Sequence, residues 1–468
     1  LALDLGSSSV RALVYDENAD LVQDCPPARR PLPVHQDESG RGELDPYACR
    51  DSLVACLDGL AEAGSLDGVE LVVAASQWHS VLALGGDGEP VSPVLTWLDT
   101  RAQSVRARQP ADPEAFHART GAWVHPLYWT TKVPWLREHL GTSPSRFVGL
   151  PDYLRGVFLG DDATSVSVAS GTGLLDLAAM VWDEEALDLA GLAGAGSGPD
   201  AGVPAIDDAP RRLTKPWRDR WPALADADWH AVLGDGAASN LGSGCADASA
   251  VGVTVGTSAA LRIVHGPDVP PPPPNVWRYR VDPDRLVSGI AFSGGGVLHS
   301  WAVRLLDLKP DAEPTLAPGT SGLVSIPLHA GSRPPGTTPP GSGVVAGLSL
   351  DTTAEEFLAA TLEGVALEAG RALAVLEESF GGRHLDVVLG GGAVHASPWW
   401  CRTFAATLDR QVRLAGDPEV GARGAVALAL GLDLPRPSKV VRSDPEDTDR
   451  MSAVRSRYER LRGDLTPT

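Results

Sequence analysis

Five cysteines in 468 residues (Cys25, Cys49, Cys56, Cys245 and Cys401) are odd in number and too scattered for a disulfide framework. None pairs in the CxxC spacing of a zinc site, so a reducing, cytoplasmic setting is expected. No apolar run approaches the ~18 residues needed to span a bilayer, and the first residues read as a strand rather than a signal peptide. Because the chain starts at Leu1, native residues are expected ahead of it. Cations are scarce: 39 Lys and Arg face 60 Asp and Glu, a net charge of −21, which argues against nucleic acid or an anionic membrane as partner. It leaves room for a local basic pocket. Only four of those cations are lysines (Lys132, Lys215, Lys309 and Lys439), which reads as genome composition. The P-loop pattern and the dinucleotide-binding glycine fingerprint are both missing.

What is present suffices for two or three domains, since 43% of the residues are apolar and 21% charged, ordinary values for a globular chain. The opening stretch organises the rest. Leu1-Ala2-Leu3-Asp4-Leu5 is an apolar strand broken by one carboxylate, Gly6-Ser7-Ser8-Ser9 is a hydroxyl-rich turn, and Val10 to Tyr15 resumes the strand. In such a hairpin Gly6 lets backbone approach an anion, Ser7 and Ser8 donate to phosphate oxygens, and Arg11 adds a fixed positive charge. Asp4, on a strand that otherwise reads as core, is placed to hold a hydrated divalent cation. Asp followed by Gly and serines is also common turn chemistry, so the reading needs support from further along.

In the first half, Pro46 to Ala63 has helical apolar spacing and Leu71 to Ala75 is a buried strand, which together predict a mixed α/β domain. Ser76-Gln77-Trp78-His79-Ser80 follows that strand directly, where ligands of α/β folds bind. Val94 to Arg101 ends another strand in Asp99 and Arg101, and Trp123 through Leu136 contributes His125, Lys132 and tryptophans. Hydroxyls of a sugar want carboxylate and amide partners, an acid group wants cations, and the C–H face of a sugar packs on tryptophan. Trp78, His79, Asp99, Arg101 and Lys132 are therefore the candidate substrate contacts, set against the plain alternative of core tryptophans and solvated charges. Residues 190–208 turn Gly, Ala, Ser and Pro rich and predict an exposed loop.

At mid-chain, Gly234-Asp235-Gly236 sets a carboxylate between glycines, ordinary turn punctuation by itself. Val251 to Val255 then runs into Gly256-Thr257-Ser258, a second hydroxyl turn that echoes Gly6-Ser7-Ser8 and suggests duplicated lobes facing one phosphate chain. The prolines at 270–274 predict a stiff surface loop, and Gly295 and Gly296 open a helix running through Trp301 and Leu305. Residues 331–343 form a Pro/Gly loop, residues 354–379 a long helix, and residues 385–389 a strand ending in Gly390-Gly391-Gly392-Ala393, where no side chain obstructs a flat adenine. Two helices follow, then a charged tail from Pro435 to Thr468.

Taken together these residues resemble the FGGY family of carbohydrate kinases over nearly the whole chain, from Leu1 to about Leu432. The most specific part is Gly343-Val344-Val345-Ala346-Gly347-Leu348 followed, after seven residues, by Glu356-Phe357 and then Ala360-Thr361-Leu362-Glu363, which meets the family's C-terminal signature. Lys132-Val133-Pro134-Trp135-Leu136 fits the N-terminal one, although Trp129 stands where the family usually has a small residue or proline. Residues 76–81, 97–101, 125–126 and 170–175 look most like gluconate kinases, with xylulose kinases close behind.

The resemblance implies an α/β chain of the actin-like ATPase (ribonuclease H-like) fold, with two duplicated lobes and a cleft between them that narrows on sugar binding. Residues 1–238 would form the N-terminal lobe, 239–433 the ATP-binding C-terminal lobe and 434–468 a tail. It further implies that Asp4 organises Mg-ATP and that Ser7, Ser8 and Arg11 meet phosphates. Gly256 and Thr257 would face the β- and γ-phosphates, Gly391 to Ala393 would line the adenosine site, and Asp235 would be the general base. Ala396 replaces an asparagine that relatives often carry near the adenine. A homodimer is a common arrangement in the family. The expected activity is ATP-dependent phosphorylation of a small sugar or sugar acid, gluconate first and xylulose or another ketopentose second. An actin-like ATPase scaffold lacks the substrate cluster, and a silent sugar sensor is opposed by intact Asp4 and Asp235.

Overall fold

Leu1 to Leu13 folds as the hairpin its sequence predicts. Strand β1 (Ala2–Leu5), buried at all four positions, pairs antiparallel with β2 (Ser9–Leu13), setting Asp4 opposite Arg11. β3 (Ala28–Pro31) continues antiparallel to β2. On its other edge β1 runs parallel to β4 (Leu71–Ser76), and β4 runs parallel to two short strands, β5 (Asp228–Trp229) and β6 (Leu233–Gly234). The order is β5-β4-β1-β2-β3, with β6 also on β4.

Parallel strands need cover on both faces. The helix Pro46–Glu62 supplies part of it: Asp45 caps its first turn by accepting the Tyr47 N–H, Pro46 presets the first φ, and Leu53, Cys56, Leu57 and Leu60 share a core with Leu3, Leu5, Val10 and Val72. The helix Val420–Leu430 packs against β1 and β4 as well.

The computed structural model describes residues 1–468 apart from 142–143, 193, 195–201, 334, 337, 417–418 and 466–468. Two compact units emerge, one of Leu1–Gly242, His265–Ser288 and Glu419–Leu434, the other of Ser243–Val264, Gly289–Pro418 and Pro435–Thr468. The boundary expected after residue 238 thus falls after Gly242, and two later segments join the first unit. That unit holds a second core in which Trp129, Val133 and Leu136 of the helix Trp129–His139 meet Phe116, Phe147, Leu174 and Leu175. Within the predicted loop at 190–208, residues 193 and 195–201 lie outside the described residues; near its end Ala205–Ile206 pairs parallel with Ala163–Thr164.

The second unit repeats the strand plan. β7 (Ala250–Val255) and β8 (Ala259–His265, in this unit through Val264) form a hairpin, with β9 (Leu286–Phe292, in this unit from Gly289) next to β8. β7 runs parallel to β10 (Asp386–Gly390), which runs parallel to β11 (Val412–Leu414), and β12 (Val440–Val441) closes the edge antiparallel. Each unit therefore has an antiparallel hairpin whose first strand also pairs with a parallel strand and whose second strand carries a further neighbour, antiparallel in the first unit.

The helix Ala354–Ser379 matches its predicted bounds, opened by a capping box between Thr353 and Glu356. Residues 434–468 do not form a tail. They carry β12 and the helix Pro445–Leu465, whose Met451, Val454 and Tyr458 are buried with Val324, Ile326, Leu367 and Ala406. Apolar residues at 451, 454, 458 and 461 repeat at helical spacing, so one face is apolar although charges dominate the composition. Among the described residues no helix is long and apolar enough to cross a membrane.

Candidate active site

In the first unit the β1–β2 turn is closed by the Gly6 N–H donating to Ser9 O at 3.1 Å, with Ser7 half-buried and Ser8 exposed at the tip. Asp4 is 8% exposed, and burial raises its pKa against the pull of Arg11 and Arg29. Arg11 is already engaged: Nη2 meets Asp4 Oδ2 at 2.5 Å and Nη1 meets Glu419. Its Nε is buried without a partner. Among the described residues no group of three His, Cys, Asp or Glu side chains is arranged to hold a metal. A cation at Asp4 would therefore take one protein carboxylate and complete its shell with water and phosphate oxygens. That set suits Mg²⁺, which keeps several waters.

Asp235 follows β6 directly and begins the helix Asp235–Gly242, half-buried, with Oδ1 accepting the Gly236 N–H at 2.8 Å. Its position is fixed by the residue before it. A Cβ on Gly234 would lie 1.9 Å from the Trp78 ring, so only glycine lets the indole pack there. Ser167 ties the two together, its carbonyl accepting from Trp78 Nε1 at 3.0 Å and its hydroxyl accepting from the Gly234 N–H at 3.1 Å. Trp78 is thus a buried wedge beside the residue that precedes Asp235, with its indole N–H already committed.

His79 has φ +68°, a costly value for a non-glycine residue, and such values concentrate at functional sites. Its Nδ1 lies 2.6 Å from Gly171 O, and its ring stands edge-on to Tyr128 and Tyr279, whose hydroxyls are 2.6 Å apart. Lys132 is fully buried, and Nζ donates to Thr96 O at 2.7 Å and His79 O at 3.1 Å. Burial lowers its pKa to about 7, opposed by Asp99.

Asp99 accepts from the Gly42 N–H at 3.0 Å and from the Arg101 N–H at 3.1 Å, and pairs with Arg101 Nη2 at 2.6 Å. Arg101 also reaches Glu43 Oε1 at 2.5 Å and lies over the Trp135 ring at 4.4 Å. All six predicted substrate residues, Asp235 among them, therefore lie in the first unit, and Trp78, Lys132 and Asp99 have protein partners for their polar atoms. The half-buried His79 and the edge of Arg101 remain partly exposed. Sequence reasoning missed Tyr128, Tyr279 and Glu43. Trp277 to Arg280 is a strand buried at every position, and its two aromatics were a legible signal; Glu43 offered none.

In the second unit Gly256, Thr257, Gly295, Gly296, Gly391, Gly392 and Ala393 come together. The Gly256 N–H donates to Ser258 O at 2.9 Å, as Gly6 does to Ser9, and Thr257 is exposed at the tip. The Gly296 N–H donates to Gly256 O at 2.7 Å and the Val297 N–H to Thr257 O at 3.2 Å. That helix start is therefore filled by the turn's own carbonyls, leaving the turn itself to face an anion. Gly391 has φ +103°, and a Cβ there would fall 2.3 Å from Val255 O. Above Gly392 nothing lies within 4 Å of where a Cβ would stand, and such bare backbone fits a flat base.

Models described as the FGGY family of carbohydrate kinases match residues 1–196 (N-terminal domain) and 251–431 (C-terminal domain). A gluconokinase of Bacillus subtilis (strain 168) is 24% identical over 458 residues, covering 92% of this chain and 86% of that protein. A xylulose kinase of Streptomyces rubiginosus is 30% identical over 450 residues, covering 92% and 87%. The crystal structure of ligand-bound xylulose kinase from Lactobacillus acidophilus superposes with a TM-score of 0.86 at 22% identity, covering 99% of this chain and 98% of that one.

Proposed function

The chain belongs to the FGGY family of carbohydrate kinases, with their actin-like ATPase fold and two-domain architecture, and on that premise we propose that it phosphorylates gluconate at the expense of ATP. The family activity is that of a phosphotransferase with an alcohol acceptor. The observation that carries the reading is the seat of Asp235: a half-buried carboxylate at a helix start, fixed through Gly234 and Trp78 beside the strand end that bears His79.

A sugar hydroxyl is a weak nucleophile until a carboxylate accepts its proton, and Asp235 would be that carboxylate. The tip of the 256–258 turn would hold the β- and γ-phosphates, and the backbone of 391–393 the adenosine. Mg²⁺ beside Asp4 would supply charge neutralisation for the transferring phosphoryl group. Arg11, lying between Asp4 and Glu419, offsets one of the two carboxylate charges at the Asp4 site and leaves it attractive to a cation. His79 and the exposed edge of Arg101 would meet the acid end of gluconate. A ketopentose is the second reading, favoured because Asp99 and Glu43 already compensate Arg101 and two carbonyls take up Lys132.

The test is a coupled ADP-release assay over gluconate, xylulose, ribulose and glycerol, on the wild type and Asp235→Asn. The variant should lose about a thousandfold in turnover while binding ATP normally. Wild-type turnover in the variant removes Asp235 from the role, and preference for xylulose over gluconate overturns the choice of acceptor.

A further inference from the structure

Gln77 follows β4 directly and its side chain is 1% exposed, yet neither Oε1 nor Nε2 has a hydrogen-bond partner. Leaving such a group buried and unpaired forfeits its hydration without a compensating hydrogen bond, and native structures keep few of them without a reason.

The strand register supplies one. Across β1 and β4, Asp4 pairs with Ala75 and Leu5 with Ser76; across β6 and β4, Leu233 pairs with Ala75 and Gly234 with Ser76. The Gln77 N–H donates to Leu5 O at 3.2 Å, so the pairing runs on to this residue. Alternate residues of a strand share a face, which sets Gln77 on the face of Ala75 and its neighbour Asp4. Gln77 and Asp235 are each the next residue after the paired Ser76 and Gly234. The carboxamide thus follows the end of the middle strand of three, with Asp4 on the strand to one side and Asp235 just past the end of the strand to the other.

We propose that Gln77 is a positioning residue: its carboxamide holds a buried water that links Asp4 to Asp235 and fixes the orientation of the base. This rests on the kinase reading above. A polar pocket offering two to four partners is what an internal water requires, and the carboxamide with two carboxylates provides that number. Gln77 touches no reacting atom in this role and acts through Asp235.

The experiment compares wild type, Gln77→Met, which keeps the length and removes both hydrogen-bonding atoms, and Gln77→Asn, which keeps the amide one methylene back. Gln77→Met should lose about 10–100-fold in kcat, with KM for sugar and ATP within about twofold and the melting temperature not lowered, as when an orienting partner is removed. Gln77→Asn should recover part of the loss. A merely structural role would lower the melting temperature and spare kcat. Wild-type kcat in Gln77→Met, or a raised sugar KM at unchanged kcat, overturns the proposal. Should Gln77→Met fail to fold, wild-type kcat in Gln77→Asn overturns it. A wild-type protein inactive on every acceptor of the panel defeats the kinase reading instead, which keeps the two failures apart.

Discussion

Asp4 and Arg11 face one another across the first hairpin, so the residue expected to meet phosphate is already the counter-ion of the residue expected to hold the cation. Single residues elsewhere in the first unit set a different balance. His117 Nε2 lies 3.0 Å from Val276 O, His265 Nε2 lies 2.9 Å from Ser288 Oγ, and burial lowers both imidazoles to about 4. Each is neutral in the folded chain at pH 6, where the unfolded chain is mostly protonated. Between pH 6.5 and 4 the unfolded state therefore binds more protons, and stability falls as pH falls, by about 3 kcal/mol per histidine once both states are protonated. Burial raises Glu363 to about 7 and Asp152 to about 6, and these carboxyls act in the opposite sense, so the histidine contribution is read by difference: over urea midpoints from pH 7 to 4, His117→Gln should lose less stability than the wild type as pH falls. An unchanged slope would show that His117 is not the proton acceptor.

Two helices of the first unit cross so closely that glycine is the only residue that fits. A Cβ on Gly424 would lie 1.9 Å from Ala238 O, and one on Gly242 would lie 1.8 Å from Val420 O. One of those helices begins with Asp235, so the crossing sets where that carboxylate stands. Gly424→Ala should push the helices apart, cost about 1–3 kcal/mol in stability, and lower kcat at the same time. Thermal melts paired with turnover check it: a stable variant with normal kcat would mean the helix yields without moving Asp235. The long helix at 354–379 was legible because its period and its capping box agree. The helix Pro445–Leu465 was not, because its few apolar residues are outnumbered by charges and only their burial among Val324, Leu367 and Ala406 reveals the periodic face.

Over the whole molecule the two units share one strand plan, and the surface carries a net charge of −21. Excess charge of one sign opposes a compact state through self-repulsion, and salt screens it within a Debye length of about 10 Å at 0.1 M. Raising NaCl from about 0.01 to 0.5 M should therefore raise the melting temperature by a few degrees. A fall would mean that the many arginine–carboxylate pairs outweigh the repulsion.

The sequence by itself determined the two hydroxyl turns, the strands that carry them, the family and the candidate base, because these rest on local chemistry: a turn needs glycine and hydroxyls, and a buried strand needs an apolar run. Only the tertiary structure decided which candidates are spoken for. That Arg101 is shared with Glu43, that Lys132 is held by two carbonyls, that Trp78 wedges against Gly234 and that Gln77 is left unpaired beside the strands that carry Asp4 and lead into Asp235 all depend on residues brought together from far along the chain. Such long-range partners leave no periodic trace in a sequence, since spacing records only what lies within a few residues of itself.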